Sequence, residues 1–116
     1  MIETNNDTNL SMIDCGIKSI REVPLKLNLI SINLHSNKLI KIENLSYLQN
    51  LIHLDLSSNQ IKQINGLNGL VSLKSINLSC NFITKIENLT GLNQLAWLNL
   101  SYKLFFFLII NIIIFY

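Results

Sequence analysis

The phrase INLHSN at residues 32–37 returns as LDLSSN at 54–59 and as INLSCN at 76–81, so that Asn37, Asn59 and Asn81 stand 22 residues apart. Counting by the same step extends the register in both directions. Leu10, Ile32, Leu54, Ile76 and Leu98 form one column, and Met12, Leu34, Leu56, Leu78 and Leu100 the next. After the asparagine come Ile17, Leu39, Ile61 and Ile83, then Ile20, Ile42, Ile64 and Ile86. Val23, Leu45, Leu67 and Leu89, with Leu48, Leu70 and Leu92 and with Leu29, Leu51, Leu73 and Leu95, complete the turn. Apolar columns aligned at one period define a repeating unit that cannot bury its apolar face alone and must stack on its neighbours.

A 22-residue period with the signature L-x-x-L-x-L-x-x-N-x-I/L is that of leucine-rich repeats. The xLxLx segment alternates with the two-residue period of a strand buried on one face. Short strands are therefore expected near Ser11, Asn33, Asp55, Asn77 and Asn99, side by side and parallel. The remainder of each unit, such as IENLSYLQNL at 42–51, returns along the outer side. The fold class is accordingly α/β: a right-handed leucine-rich-repeat solenoid with a parallel sheet on its concave face and loops or short helical turns on its convex face. Residues 1–9 read as an N-terminal leader or cap, 10–102 as about four complete repeats plus the start of a fifth, and 103–116 as an apolar tail outside the repeat.

Composition narrows the function classes. Across 116 residues, nine Lys and Arg are interleaved with seven Asp and Glu. That mixture builds no basic stripe for a phosphate backbone, so nucleic acid is not an expected partner. With 49% hydrophobic and 14% charged residues the chain has enough apolar surface to order itself. MIETNNDTNL lacks the basic and apolar regions of a secretory leader, and two cysteines make no disulfide framework, so a reducing compartment is expected. Six N-x-S/T triplets then reflect only how common Asn, Leu and Ser are here. No Walker loop, HExxH or CxxC is present, and no enzyme activity or cofactor is expected.

The recurring asparagines are read as structural. Asn37, Asn59 and Asn81 carry a donor and an acceptor each, able to satisfy backbone groups where the chain leaves the strand. Cys15 occupies the same column in the first coil. Cys80 lies one column earlier and three coils away, roughly 14 Å at one strand spacing per coil, too far for a disulfide.

Candidate partner contacts are the strand residues between the buried leucines, which project from the concave face. Coil by coil they are Asn9, Ser11, Ile13; Ser31, Asn33, His35; His53, Asp55, Ser57; Ser75, Asn77, Ser79; and Trp97, Asn99, Ser101. The middle column is polar throughout. It reads either as hydrogen-bonded side chains running along the sheet or as a docking track for an extended or helical peptide. The contacts chosen for a protein partner are Asn33, His35, His53, Asp55, Asn77, Trp97 and Asn99, with Trp97, of the residue type commonest at interface hot spots, also a candidate cap. His35, His53 and Asp55 form a weaker candidate metal site, because a good site needs three converging ligands. Lys41 with Glu43 and Lys85 with Glu87 read as a solvated mixed-charge edge.

At position 103 the register calls for Asn, but Lys103 stands there and LFFFLIINIIIFY follows, apolar except for Asn111. As a helix these 13 residues reach only about 20 Å against a hydrocarbon core of roughly 30 Å, so a membrane partner is not expected despite the tail. An exposed strand of this composition is an aggregation hazard. The favoured reading is a switch out of the repeat at a gene-model boundary, although Phe105 and Leu108 fall in the Ile83 and Ile86 columns and part of the tail is a candidate seal for the last coil.

The variant LxxLxxLxLSxNxIxxIENL resembles the 22-residue class of the regulatory leucine-rich-repeat subunit of protein phosphatase 1 and of several centrosomal and ciliary proteins. More closely, NLHSNKLIKIE (33–43), LDLSSNQIKQINGLNGL (54–70), INLSCNFITKIENL (76–89) and LNLSY (98–102) are similar to the N-terminal repeats of the leucine-rich repeat and coiled-coil centrosomal protein family. That resemblance, over about residues 10–102, implies a cytoplasmic structural protein of the centrosome or cytoskeleton, present here as a fragment without the family's coiled coil.

Overall fold

The computed structural model describes residues 7–101 together with the pair Ile113–Ile114. β1 (Asn9–Ser11), β2 (Ser31–Asn33), β3 (His53–Asp55), β4 (Ser75–Asn77) and β5 (Trp97–Asn99) stand in chain order, each parallel to the next. Their register is the 22-residue step itself: Leu10 lies opposite Ile32, Ile32 opposite Leu54, Leu54 opposite Ile76 and Ile76 opposite Leu98. A sixth strand, β6 (Ile113–Ile114), closes the order antiparallel, with Leu98 opposite Ile114 and Asn99 opposite Ile113. The repeat foretells no such strand. The remaining residues of the 103–116 tail, Phe105 and Leu108 among them, lie outside the described residues, as do residues 1–6 of the leader.

The leucine columns fill one continuous core. Leu34, Leu39, Leu45, Leu48, Leu51, Leu56, Ile61, Ile64, Leu70, Leu73, Ile76 and Leu78 are sealed from solvent. The columns fade at the ends of the stack: Leu10, Met12 and Leu89 are only partly covered, and Ile86 is 43% exposed although its equivalents Ile20, Ile42 and Ile64 are buried. A coil covers its neighbour's apolar face, so an end coil has one face less to bury.

The outer side is built from turns. The one helical element among the described residues is a 3-10 turn, Ile20–Glu22, capped by Ser19, whose Oγ accepts from Arg21 N–H. Later coils turn through Leu48 N–H to Leu45 O (2.9 Å), Leu70 N–H to Leu67 O (3.3 Å) and Leu92 N–H to Leu89 O (3.2 Å). Gly69 and Gly91 take the third place of the last two turns at φ 90° and 88°, as a type II turn requires, which prevents a helix from starting there.

The strands end on Ser11, Asn33, Asp55, Asn77 and Asn99 rather than centring on them, and the reason is a replaced ladder rung. Leu34 N–H donates to Asp55 O (2.8 Å), and two residues on Ser36 N–H donates to Ser57 O (3.0 Å). Between them a regular parallel ladder would send Ser57 N–H to Leu34 O. Instead Ser57 N–H donates to Asp55 Oδ1 (2.9 Å), while Leu34 O accepts from Asn59 Nδ2 (3.1 Å). Neighbouring coils repeat the exchange. His35 N–H donates to Asn33 Oδ1 while Met12 O accepts from Asn37 Nδ2; Ser79 N–H donates to Asn77 Oδ1 while Leu56 O accepts from Asn81 Nδ2. The chain is thereby released from the sheet and turns through a left-handed residue, Asp14, Ser36, Ser58 or Cys80, at φ 53° to 61°.

Candidate functional site

Asn37, Asn59 and Asn81 are 8%, 6% and 2% exposed, and each ties its coil to the one before. Asn59 Oδ1 accepts from Leu39 N–H (2.9 Å), and Asn81 Oδ1 from Ile61 N–H (3.0 Å). Asn37 Oδ1 accepts from both Cys15 N–H and Ile17 N–H at 3.0 Å. Cys15 itself departs from its assigned role in this ladder. It is exposed, and its thiol reaches only Ile13 O within its own coil at 3.4 Å. The ladder residue works by donating back to a preceding coil, and none precedes Cys15 among the described residues. Both Cys15 and Cys80 are free thiols.

The middle concave column does not run along the sheet. Asn33, Asp55, Asn77 and Asn99 each turn Oδ1 onto the backbone N–H two residues ahead in the same coil, at 3.0, 2.9, 3.0 and 2.8 Å. One amide or carboxylate oxygen is thus committed to the turn. Contacts between coils come instead from the flanking columns. His35 Nδ1 lies 2.7 Å from Ser57 Oγ, and His53 Nδ1 lies 2.6 Å from Ser75 Oγ.

These bonds fix a proton. Ser57 Oγ lies 2.5 Å from Asp55 Oδ1, and a carboxylate only accepts, so the hydroxyl donates to Asp55. Ser57 must then accept from His35, which carries a hydrogen on Nδ1. Ser57 is 4% exposed, a buried relay, although the sequence places it among the residues projecting from the concave face. Its only signal there is that it shares a column with His35.

Five of the chosen contacts line one shallow depression of about 320 Å³: Asn33, His53, Asp55, Asn77 and Trp97, joined by Ser31 and Ser75. His35 and Asn99 fall outside it. Asp55 is its one charged residue, and Trp97 stands at the β5 end. Among the described residues no three His, Cys, Asp or Glu side chains converge as metal ligands, so His35, His53 and Asp55 do not come together as a metal site. The two histidines are drawn to different serines on successive coils.

On the outer side, Glu43 is more than part of a solvated edge. Its side chain is 13% exposed; Oε1 accepts from Ser19 Oγ (2.5 Å), and Oε2 lies 3.2 Å from Lys41 Nζ and 3.5 Å from Arg21 Nε. The Ser19 hydrogen bond above all, with the Lys41 and Arg21 charges, holds its carboxyl below the usual glutamate range.

Stacked 22-residue coils, a parallel sheet and a backward-bonding asparagine ladder define a leucine-rich-repeat solenoid. Residues 49–94 match the family described as leucine-rich repeats (2 copies). Among solved structures, the chain is similar to an internalin from Listeria monocytogenes, with 29% identity and a TM-score of 0.71 over 83% of this chain and 30% of that one. It therefore spans less than a third of the internalin chain. No curated protein matches it.

Proposed function

We propose that this chain is a non-enzymatic protein–protein interaction module whose concave face holds an extended or helical segment of a protein partner. Leucine-rich repeats generally serve protein binding through such a surface. The observation that carries the reading is the depression across β2 to β5, where Asn33, His53, Asp55, Asn77 and Trp97 converge above a core that is already complete. Trp97 supplies a broad apolar anchor, and the polar side chains around it offer hydrogen bonds that set register. Hydrolytic chemistry is poorly supported by the same geometry. In the Asp55–Ser57–His35 chain the serine sits in the middle and is buried, so no carboxylate orients the histidine and no nucleophile faces a substrate.

The IENL-type repeat supports placing the module in a cytoplasmic structural protein of the centrosome or cytoskeleton. The same 22-residue class supports, as the alternative, a regulatory module gripping a protein phosphatase 1 catalytic subunit. Neither nucleic acid nor membrane is part of the proposal. No helix among the described residues is long and apolar enough to cross a bilayer.

The test is binding to purified centrosomal proteins and, in parallel, to the phosphatase catalytic subunit. Asp55→Asn, which keeps the Oδ1 acceptor for Ser57 N–H as Asn33 and Asn77 do in their coils but removes the charge, and Trp97→Ala should abolish capture with the circular dichroism spectrum unchanged, while Gln49→Lys, on the outer side, should have little effect. Capture that survives both concave changes but is lost with Gln49→Lys overturns the placement of the site.

A further inference from the structure

The third coil carries two Asn-Gly dipeptides, Asn65–Gly66 and Asn68–Gly69, in the run QINGLNGL at 63–70. Both asparagines are exposed. Asparagine followed by glycine is chemically vulnerable, because the next backbone nitrogen can attack the side-chain amide and glycine has no Cβ to obstruct it. The fold treats the two pairs differently. Gly66 N–H donates to Asn65 Oδ1 at 2.9 Å, which holds the attacking nitrogen beside the side-chain amide whose carbon, Cγ, it must reach. Gly66 is also held there. Its φ is 76°, and a Cβ on it would lie 2.2 Å from Ile42 O in the preceding coil, so its peptide is wedged against that coil. Gly69 is packed on the preceding coil in the same way, a Cβ on it lying 2.6 Å from Ser46 O, so the pairs differ at the side chain: Asn68 occupies the second place of the Leu67–Leu70 turn, and among the described residues no hydrogen bond joins its side chain to Gly69 N–H.

We propose that Asn65 is a self-modification site, converting to aspartate and isoaspartate in the folded chain ahead of Asn68. Gly66 nitrogen gives up its proton to solvent and forms a bond to Asn65 Cγ. The Cγ–Nδ2 bond breaks, and Nδ2 leaves as ammonia, closing a succinimide. Water then opens the ring at either carbonyl. Opening at one carbonyl restores the main chain as aspartate, and at the other it leaves isoaspartate, with the main chain routed through the side-chain methylene. The net reaction consumes one water and releases one ammonia. Either product alters the coil at a sensitive place. Isoaspartate lengthens the chain immediately before the glycine packed on Ile42 O, and the new carboxylate stands in the column of Glu43 and Glu87, between them in register.

The experiment ages the full chain at mildly alkaline pH and follows both sites by peptide mapping with fragmentation that separates aspartate from isoaspartate. A parallel sample in concentrated urea supplies the rates of the unfolded chain, where INGL and LNGL are nearly the same context. The expected result is that Asn65 converts several-fold faster than Asn68 in the folded chain, at no less than its own rate in urea, and that urea brings the two rates together. Equal folded rates, a faster Asn68, or an Asn65 protected by folding each overturn the assignment.

Discussion

Asn59→Ala is the most direct probe of how the coils are held together. Asn59 makes four hydrogen bonds: Oδ1 accepts from Leu39 N–H, and Nδ2 donates to Leu34 O, Leu56 O and Ser57 O at 3.0 to 3.1 Å. The losses are unequal. Leu34 O keeps Asn37 Nδ2, Leu56 O keeps Asn81 Nδ2, and Ser57 O keeps Ser36 N–H, so no carbonyl is stranded. Leu39 N–H has no other acceptor among the described contacts, and Leu39 is fully buried. An orphaned buried donor costs about 1–3 kcal/mol, and with weakened bonding at three carbonyls the total is about 2–3 kcal/mol. At a urea slope of about 1.5 kcal/mol per molar this lowers the unfolding midpoint by about 1–2 M. Lys62→Ala, on the exposed surface of the same coil, should change stability by less than about 0.5 kcal/mol. Asn59→Asp keeps the acceptor but turns a carboxylate toward three carbonyl oxygens. It should be worse than alanine at neutral pH and recover partly in acid, where the protonated group donates again. Equal midpoints for Asn59→Ala and Lys62→Ala would refute the ladder as a source of stability.

Two further outcomes follow from local geometry. Gly66→Ala should cost at least about 2 kcal/mol, because its Cβ collides with Ile42 O at 2.2 Å, whereas Gly16→Ala, at φ 66° with open space around it, should cost only the left-handed penalty of about 1 kcal/mol; calorimetric melting of both variants checks the difference. Glu43 has its carboxylate favoured in the folded chain, so its contribution is full above the ordinary glutamate range and is lost as pH falls through the lowered folded value. The gap in urea midpoint between the native chain and Glu43→Gln should therefore narrow as the pH falls to the ordinary glutamate value of about 4.3 and below it, and a gap independent of pH would contradict it.

The period, the parallel pairing and the core are all legible along the chain. Leucine and isoleucine need the same thing at every repeat, removal from water, so columns such as Leu34, Leu56 and Leu78 disclose their environment without reference to any partner. Polar residues disclose far less, because a hydrogen bond depends on direction as well as burial. Asn33, Asp55 and Asn77, two amides and a carboxylate, all bend onto their own coil, while Asn37, Asn59 and Asn81 reach back to the previous one. Both columns look alike as spacing. Only the three-dimensional path of the chain decided which backbone groups each side chain meets, and with it the early end of every strand, the Ser57 relay and which concave residues share the depression. The antiparallel β6 belongs to the same class of facts, since Ile113 and Ile114 carry no repeat register that would announce their pairing with β5. Burial is set by residue type and can be read along the chain, whereas directional bonding is set by where separate coils bring their backbones together.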